Sequence, residues 1–176
     1  NKSDKTKFIF LPVSSWGNEL AYWTSEIYMS ENAYIFNSRN GRLSYEDYVR
    51  IKSTGFAVRP VIASDGAFFA NGHDFVDLNI DTPDGKKLYF ATMNLGETSP
   101  GGFGSDVYQW GAKVARGAPW IPDSDDKRLD VSRDIATLTW GDKWHIPSRK
   151  EWNILLEYCD YERKEQAYDY GNSLRV

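Results

Sequence analysis

The sequence predicts an α+β domain built from two helices, short antiparallel strands and long loops. Three observations carry the prediction. Short apolar runs, some alternating with period two, recur from Lys7 to Ala91 and are punctuated by Pro, Gly and Asn-Gly. Helical periodicity appears only late, over Asp130–Leu138 and after Ser148. Between the two patterns, Asn94 to Asp130 is a loop-rich stretch carrying Gly and Pro. There is no βαβ series, and no repeat at periods of about 20–50 residues.

The elements follow in order. Lys7 to Pro12 reads as a strand, stopped by Pro12 and the turn-prone Ser14 to Gly17. Ala21 to Glu26 is a second extended piece. Asn32 to Asn37 alternates, with Ala33 and Ile35 on one face and Tyr34 and Phe36 on the other. Asn40-Gly41 supplies a hairpin turn. Phe56 to Ile62 is a strand that Pro60 confines to an edge or an end. A polar link over Ser64–Gly72 leads to strands at Phe75–Leu78 and Leu88–Ala91, with a turn at Asp81–Gly85 between them. A short helix is expected over Asp130–Leu138. A second starts at Ser148, an N-cap residue with Glu151 three positions on, which makes a capping box. Trp152, Leu155, Leu156 and Cys159 then share one helical face. The tail from Tyr161 is polar, with Ser173–Val176 extended.

Three tryptophans fall between Trp140 and Trp152, and this aromatic knot is read as the packing centre. A chain of 176 residues buries a full core as one domain, residues 1–176. Its aromatic content of 15% also leaves tyrosine for a surface. A net charge of −4 with mixed signs gives no field for nucleic acid. The single Cys159 excludes an internal disulfide framework and a cysteine metal cluster, and two histidines cannot make a histidine-rich one. No apolar run approaches the ~20 residues of a membrane span, and no signal peptide is visible.

Several short segments resemble the Fibrobacter succinogenes major paralogous domain group, exported bacterial domains related to the formylglycine-generating, C-type-lectin-like fold. Asn71 to Leu78 looks like that family's opening strand, and Phe90-Ala-Thr-Met-Asn-Leu-Gly96 like its WATxNxG segment, with Phe90 in place of Trp. Tyr108 to Gly111 is similar to its AWG turn. Asp134–Ala136, Trp140–Pro147 and Glu151-Trp152 resemble its WGxxWRMPTxxEW signature, with His145 in place of Arg. Phe10–Pro12, Tyr22–Ser25 and Gly55–Val61 resemble its closing FLP, YWSS and VRPV segments. The order departs from the family: the closing half (1–62) precedes the opening half (71–176), with residues 63–70 as a link. Circular permutation gives that order, as does exchange of half-domains between neighbouring chains. Permutation requires that Val76–Leu78 neighbour Ala57–Val61 within one molecule. Joining Val176 to Asn1 then reads as strand, polar turn, strand.

Function is expected in the Tyr-rich segment 26–54. Tyr28, Asn32, Tyr34, Asn37, Arg39, Tyr45, Tyr48 and Arg50 combine rigid amphipathic rings with adaptable hydrogen bonding. In lectin-like folds the equivalent segment faces the ligand, so the resemblance implies a non-catalytic binding module for a glycan or protein. It also implies a periplasmic, cell-surface or extracellular setting. An assembly role in a surface or fimbrial protein is the alternative reading. A formylglycine-generating-type oxidase needs two thiolates, and one cysteine cannot supply them. His145 has no recognisable triad around it in the sequence. No cofactor is expected; calcium is a weak alternative on Asp123–Asp126 with Asp130, since the sugar-binding motifs of calcium-dependent lectins are absent.

Overall fold

The computed structural model describes residues 6–12, 20–39, 42–44, 48–98, 106–121, 127–160, 162–165 and 172–175. Ten strands and two α-helices lie among them: β1 Phe10–Pro12, β2 Ala21–Met29, β3 Asn32–Arg39, β4 Arg42–Ser44, β5 Val49–Ile51, β6 Val61–Ser64, β7 Phe75–Asp81, β8 Lys87–Ala91, α1 Ile135–Trp140, α2 Arg149–Tyr158, β9 Glu162–Glu165 and β10 Asn172–Arg175. The α+β class is as expected from the sequence. Three small antiparallel sheets result, ordered β1-β10-β9, β2-β3 with β4 and β5 both on β3, and β6-β8-β7. The Asn40-Gly41 turn lies outside the described residues; the strands beside it pair Arg39 with Arg42.

Two expected elements differ. The strand at Phe56–Ile62 begins only at Val61, because Pro60 has no N–H for a ladder. Phe56 and Ala57 instead make single bridges, to Tyr108 and Tyr22. The helix over Asp130–Leu138 is split into a 3-10 turn, Val131–Arg133, and α1. Asp134 causes the break. Its Oδ1 accepts from the N–H groups of Ala136 and Thr137, capping α1. Its Oδ2 accepts from Ile146 N at 2.9 Å, tying α1 to the segment before α2. The capping box at Ser148 and Glu151 forms as the sequence indicates.

The β2–β3 hairpin is buried on both faces. On one side Trp152 of α2 stacks flat on Phe36 at 4.1 Å and meets Tyr22 and Phe90 at 5.7 and 5.6 Å. Leu11, Leu78, Ile80, Leu88 and Leu155 fill the space around it. On the other side Trp23, Ile35, Trp110 and Trp144 form a second layer with Val58, Ile62 and Ile146. Trp23, Trp110 and Trp144 each donate the indole N–H to a carbonyl, of Tyr108, Thr24 and Ala70 respectively, so burial leaves no orphan donor there. Cys159 lies buried in the first layer.

Residues 65–74 are more than a polar link. Strands β6 and β7 both run antiparallel to β8, with Val61 and Val76 on either side of Phe90, so the connection must cross the sheet. Val76–Leu78 therefore does not directly neighbour Val61, as the permuted order required, because β8 stands between them. Phe68 lies on Phe75 and Tyr89 at 5.1 and 4.8 Å. The Asn71 amide donates to Trp140 O at 2.6 Å, and the His73 ring stacks on Trp140 at 3.9 Å. Gly141 has φ of 103°, and a Cβ there would run into the Asn71 amide. Buried Arg59 donates to Phe10 O and Ala91 O at 2.7 and 3.0 Å, which binds β1 to β8.

Trp144 is fully buried. Trp144→Ala is therefore expected to cost about 3–5 kcal/mol, read from urea unfolding midpoints at unchanged m-value.

Candidate functional site

The site begins with a defect in β2. Ala21, Tyr22 and Trp23 pair in register with Asn37, Phe36 and Ile35, but the pairing shifts before Ile27↔Ala33 and again before Met29↔Asn32. Such bulges bend a strand and re-aim its side chains. Thr24 Oγ1 stabilises the first shift by donating to Tyr34 O and accepting from Glu26 N. On the outer edge of the bulged stretch, Ser25 N bonds Pro147 O, and Ile27 N bonds Lys127 O.

The re-aimed side chains meet the start of α2. Glu26 Oε2 accepts from Arg149 N at 2.8 Å, at the positive end of the helix. The Arg149 guanidinium lies over the Tyr34 ring at 3.8 Å. Tyr28 stands edge-on to Tyr34 at 5.4 Å. Cross-strand pairing then places Met29, Asn32 and Ile51 in one row. Tyr28, Met29 and Ile51 are 45%, 56% and 57% exposed, so an aromatic and aliphatic patch emerges just beyond the helix end.

Of the sequence-predicted residues, the structure brings Tyr28, Asn32 and Tyr34 together, whereas Arg50, opposite Ala33, alternates to the other face of the sheet. It does not bring Asn37 there. Asn37 is 2% exposed inside the sheet, because its position in β3 faces the core beside Leu20 and Ala21 rather than solvent. Tyr48 is half-buried against the second core layer. Tyr45 and the side chain of Arg39 lie outside the described residues. Sequence reasoning missed Met29, Ile51, Glu26 and Arg149. A signal for Arg149 existed: it precedes Trp152 by three on one helix face, as Tyr34 precedes Phe36 by two on one strand face, and the two pairs stack.

Behind the patch sits an ion pair. His145 Nε2 meets Glu151 Oε1 at 2.7 Å, and Glu151 Oε2 accepts from Ser148 N and Oγ, both at 2.7 Å. Burial disfavours charge on both partners, but their mutual bond outweighs it, raising the His145 pKa and lowering that of Glu151. Glu26 moves the other way: burial raises its pKa against the pull of Arg149 N. The group of Ser, Glu and His is not a nucleophilic triad, since the carboxylate lies between and itself accepts the Ser148 hydroxyl's hydrogen bond. Lys52 is buried too. Its ammonium donates to Ser30 O at 2.8 Å and lies 4.6 Å from the Trp110 ring, and desolvation lowers its pKa to about 8.

Among the described residues no three His, Cys, Asp or Glu side chains are grouped to hold a metal ion. Asp123–Asp126 lie outside them, and Asp130 accepts from Ser132 N, capping the 3-10 turn. No helix of the described residues is long and apolar enough to cross a membrane. Comparison with protein-family models, with curated proteins and with solved structures finds no match.

The signs of the two shifts set a pH window. The stability from His145 is complete below the unfolded value of 6.5 and is lost as pH rises through the higher folded value. The stability from Glu151 is present above 4.5 and is lost as pH falls through its lower folded value. His145→Gln should flatten the decline in melting temperature above pH 6.5, and NMR titration should show His145 deprotonating above that pH.

Proposed function

We propose that the domain is a non-catalytic binding module that recognises a protein ligand through the Tyr28–Met29–Asn32–Tyr34–Ile51 face. One observation carries this reading: exposed Tyr28 packs on a Tyr34 ring held under Arg149, and exposed Met29 and Ile51 flank Asn32, on the same strand as Tyr34. Tyr, Met and Arg are the residues enriched where proteins meet. A sugar would need an open aromatic face, whereas Arg149 covers one face of Tyr34 and Tyr28 packs perpendicular to it. The edge of β5 argues against strand addition, because Arg50 donates to Val49 O and Thr54 N to Ile51 O. An exported or cell-surface setting follows from the family resemblance alone.

The same resemblance leads us to read the fold as lectin-like with the family halves in exchanged order, the halves meeting through β8 and not by direct pairing of Val76–Leu78 with Ala57–Val61. Its support is the antiparallel pairing of β1 with β10, Phe10 opposite Arg175, which lays the two family halves side by side where they would ordinarily connect. The contacts of Phe68 with Tyr89 and of Asn71 and His73 with Trp140 fit a connection that belongs to the fold.

Two experiments test these readings. Tyr28→Ala with Met29→Ala should weaken a partner captured from native surroundings by about tenfold or more, leaving the melting temperature within a few degrees. Unchanged affinity, or hits confined to a glycan array, would remove the protein reading. For the fold, a chain with Val176 fused to Asn1 and opened between Asp65 and Gly66 should fold to the same circular-dichroism spectrum. Failure to fold would remove the permutation.

A further inference from the structure

We infer that Lys52 is the positioning residue of this face: it holds the turn of the β2–β3 hairpin so that Met29, Asn32 and Ile51 are presented as one row. The inference rests on the binding reading above and adds the residue that sets its geometry. Met29 and Asn32 bracket the two-residue turn Ser30-Glu31, and Ile51 pairs with Asn32 from β5. Lys52 follows Ile51 and by alternation lies behind the face, against Trp110 of the second core layer. It grips the turn twice. Its N–H donates to Glu31 O and its ammonium to Ser30 O, both at 2.8 Å. It is gripped in return, since Trp110 N donates to Lys52 O at 2.8 Å and the Trp110 ring lies 4.6 Å from the ammonium. The Trp110 indole N–H reaches Thr24 O, at the bulge that aims Tyr28. One residue thus joins the hairpin turn and β5, and through Trp110 the bulged strand.

The choice of lysine points to positioning and not to stability. Lys52 is 1% exposed, and among the described residues no carboxylate is paired with its ammonium. The charged groups of the segments packed around it are all exposed: Glu31 on the turn, Arg50 on β5, and Asp106, Lys113 and Arg116 on either side of Trp110. A buried ammonium with one carbonyl and one ring for partners is not fully compensated for the water it has lost. Burial accordingly lowers its pKa from 10.5 to about 8. Methionine would fill the same space without that cost, as apolar replacements of buried charges often do. It would have nothing to donate to Ser30 O. What the ammonium adds is a directed bond at the hairpin turn, and local rules are broken in this way where geometry must be specified.

The test compares Lys52→Met with the wild-type protein, first without ligand and then with a peptide. At neutral pH the variant should melt at or above the wild-type temperature, while amide hydrogen exchange at residues 30–32 and 51–52 quickens about tenfold or more. The binding probe is a peptide selected from a random displayed library on the wild-type protein and weakened by Tyr28→Ala. Lys52→Met should weaken it about tenfold or more. Wild-type affinity should also fall as pH rises through about 8, where the ammonium loses its proton, and the variant should lack that step. Faster exchange throughout the sheets with a melting temperature several degrees lower would make Lys52 an ordinary core residue and overturn the positioning role. Unchanged exchange at the turn, unchanged affinity for the Tyr28-sensitive peptide, or the same pH step in both proteins would overturn it too, and each leaves the binding face standing. Failure to select any peptide sensitive to Tyr28→Ala would overturn the binding reading, and with it a residue that positions the face for binding.

Discussion

The burial of one hairpin on both of its faces is the constraint from which the rest of the structure follows. A two-stranded ribbon is marginal in water, and β2–β3 is held because Trp152 closes one side and Trp23, Trp110 and Trp144 the other. That arrangement uses both halves of the chain. Phe36 comes from the first half and Trp152 from the second, and their parallel stack ties β3 to α2. Indole rings suit the task, since each buries a large area, and the N–H groups of Trp23, Trp110 and Trp144 satisfy carbonyls of neighbouring segments.

The surface patch is a by-product of that packing taken one turn further. Trp152 fixes α2 against Phe36, so the first turn of the helix must arrive over Tyr34, and Arg149 covers it. The bulge in β2 then becomes a requirement: without its extra residues, Glu26 would not reach the helix N-terminus and Tyr28 would not face Tyr34. Glu26 and the pair of Glu151 with His145 both hold that helix end, from outside and from beneath. Recognition surface and scaffold are therefore joined through a single helix start.

What could be read from the sequence was what depends on neighbours along the chain. The alternation of Ala33 and Ile35 against Tyr34 and Phe36, the capping box at Ser148 and the buried face of α2 all obey local periodicities. Features set by distant partners were not readable. Asp134 breaks a helical pattern because its carboxylate caps α1 with one oxygen and holds distant Ile146 N with the other. Asn37 looked like a surface ligand, yet its strand continues inward at that point. His145 appeared isolated until the helix turn brought Glu151 to it. Met29 and Ile51 are ordinary apolar residues in sequence, and only the register of three strands lines them up outside the core.

The pairing of β1 with β10 also has a mechanical meaning. Phe10 lies opposite Arg175 and Pro12 opposite Ser173, so the outward-leading ends of both strands sit at the same end of the ladder. Tension applied through chain flanking the two strands would load these pairs one after another, as a zipper, and not all together in shear. The first event under pulling would be release of β1. Leu11 would then leave the core, and Arg59 would lose its bond to Phe10 O while the hairpin and its tryptophans stayed packed.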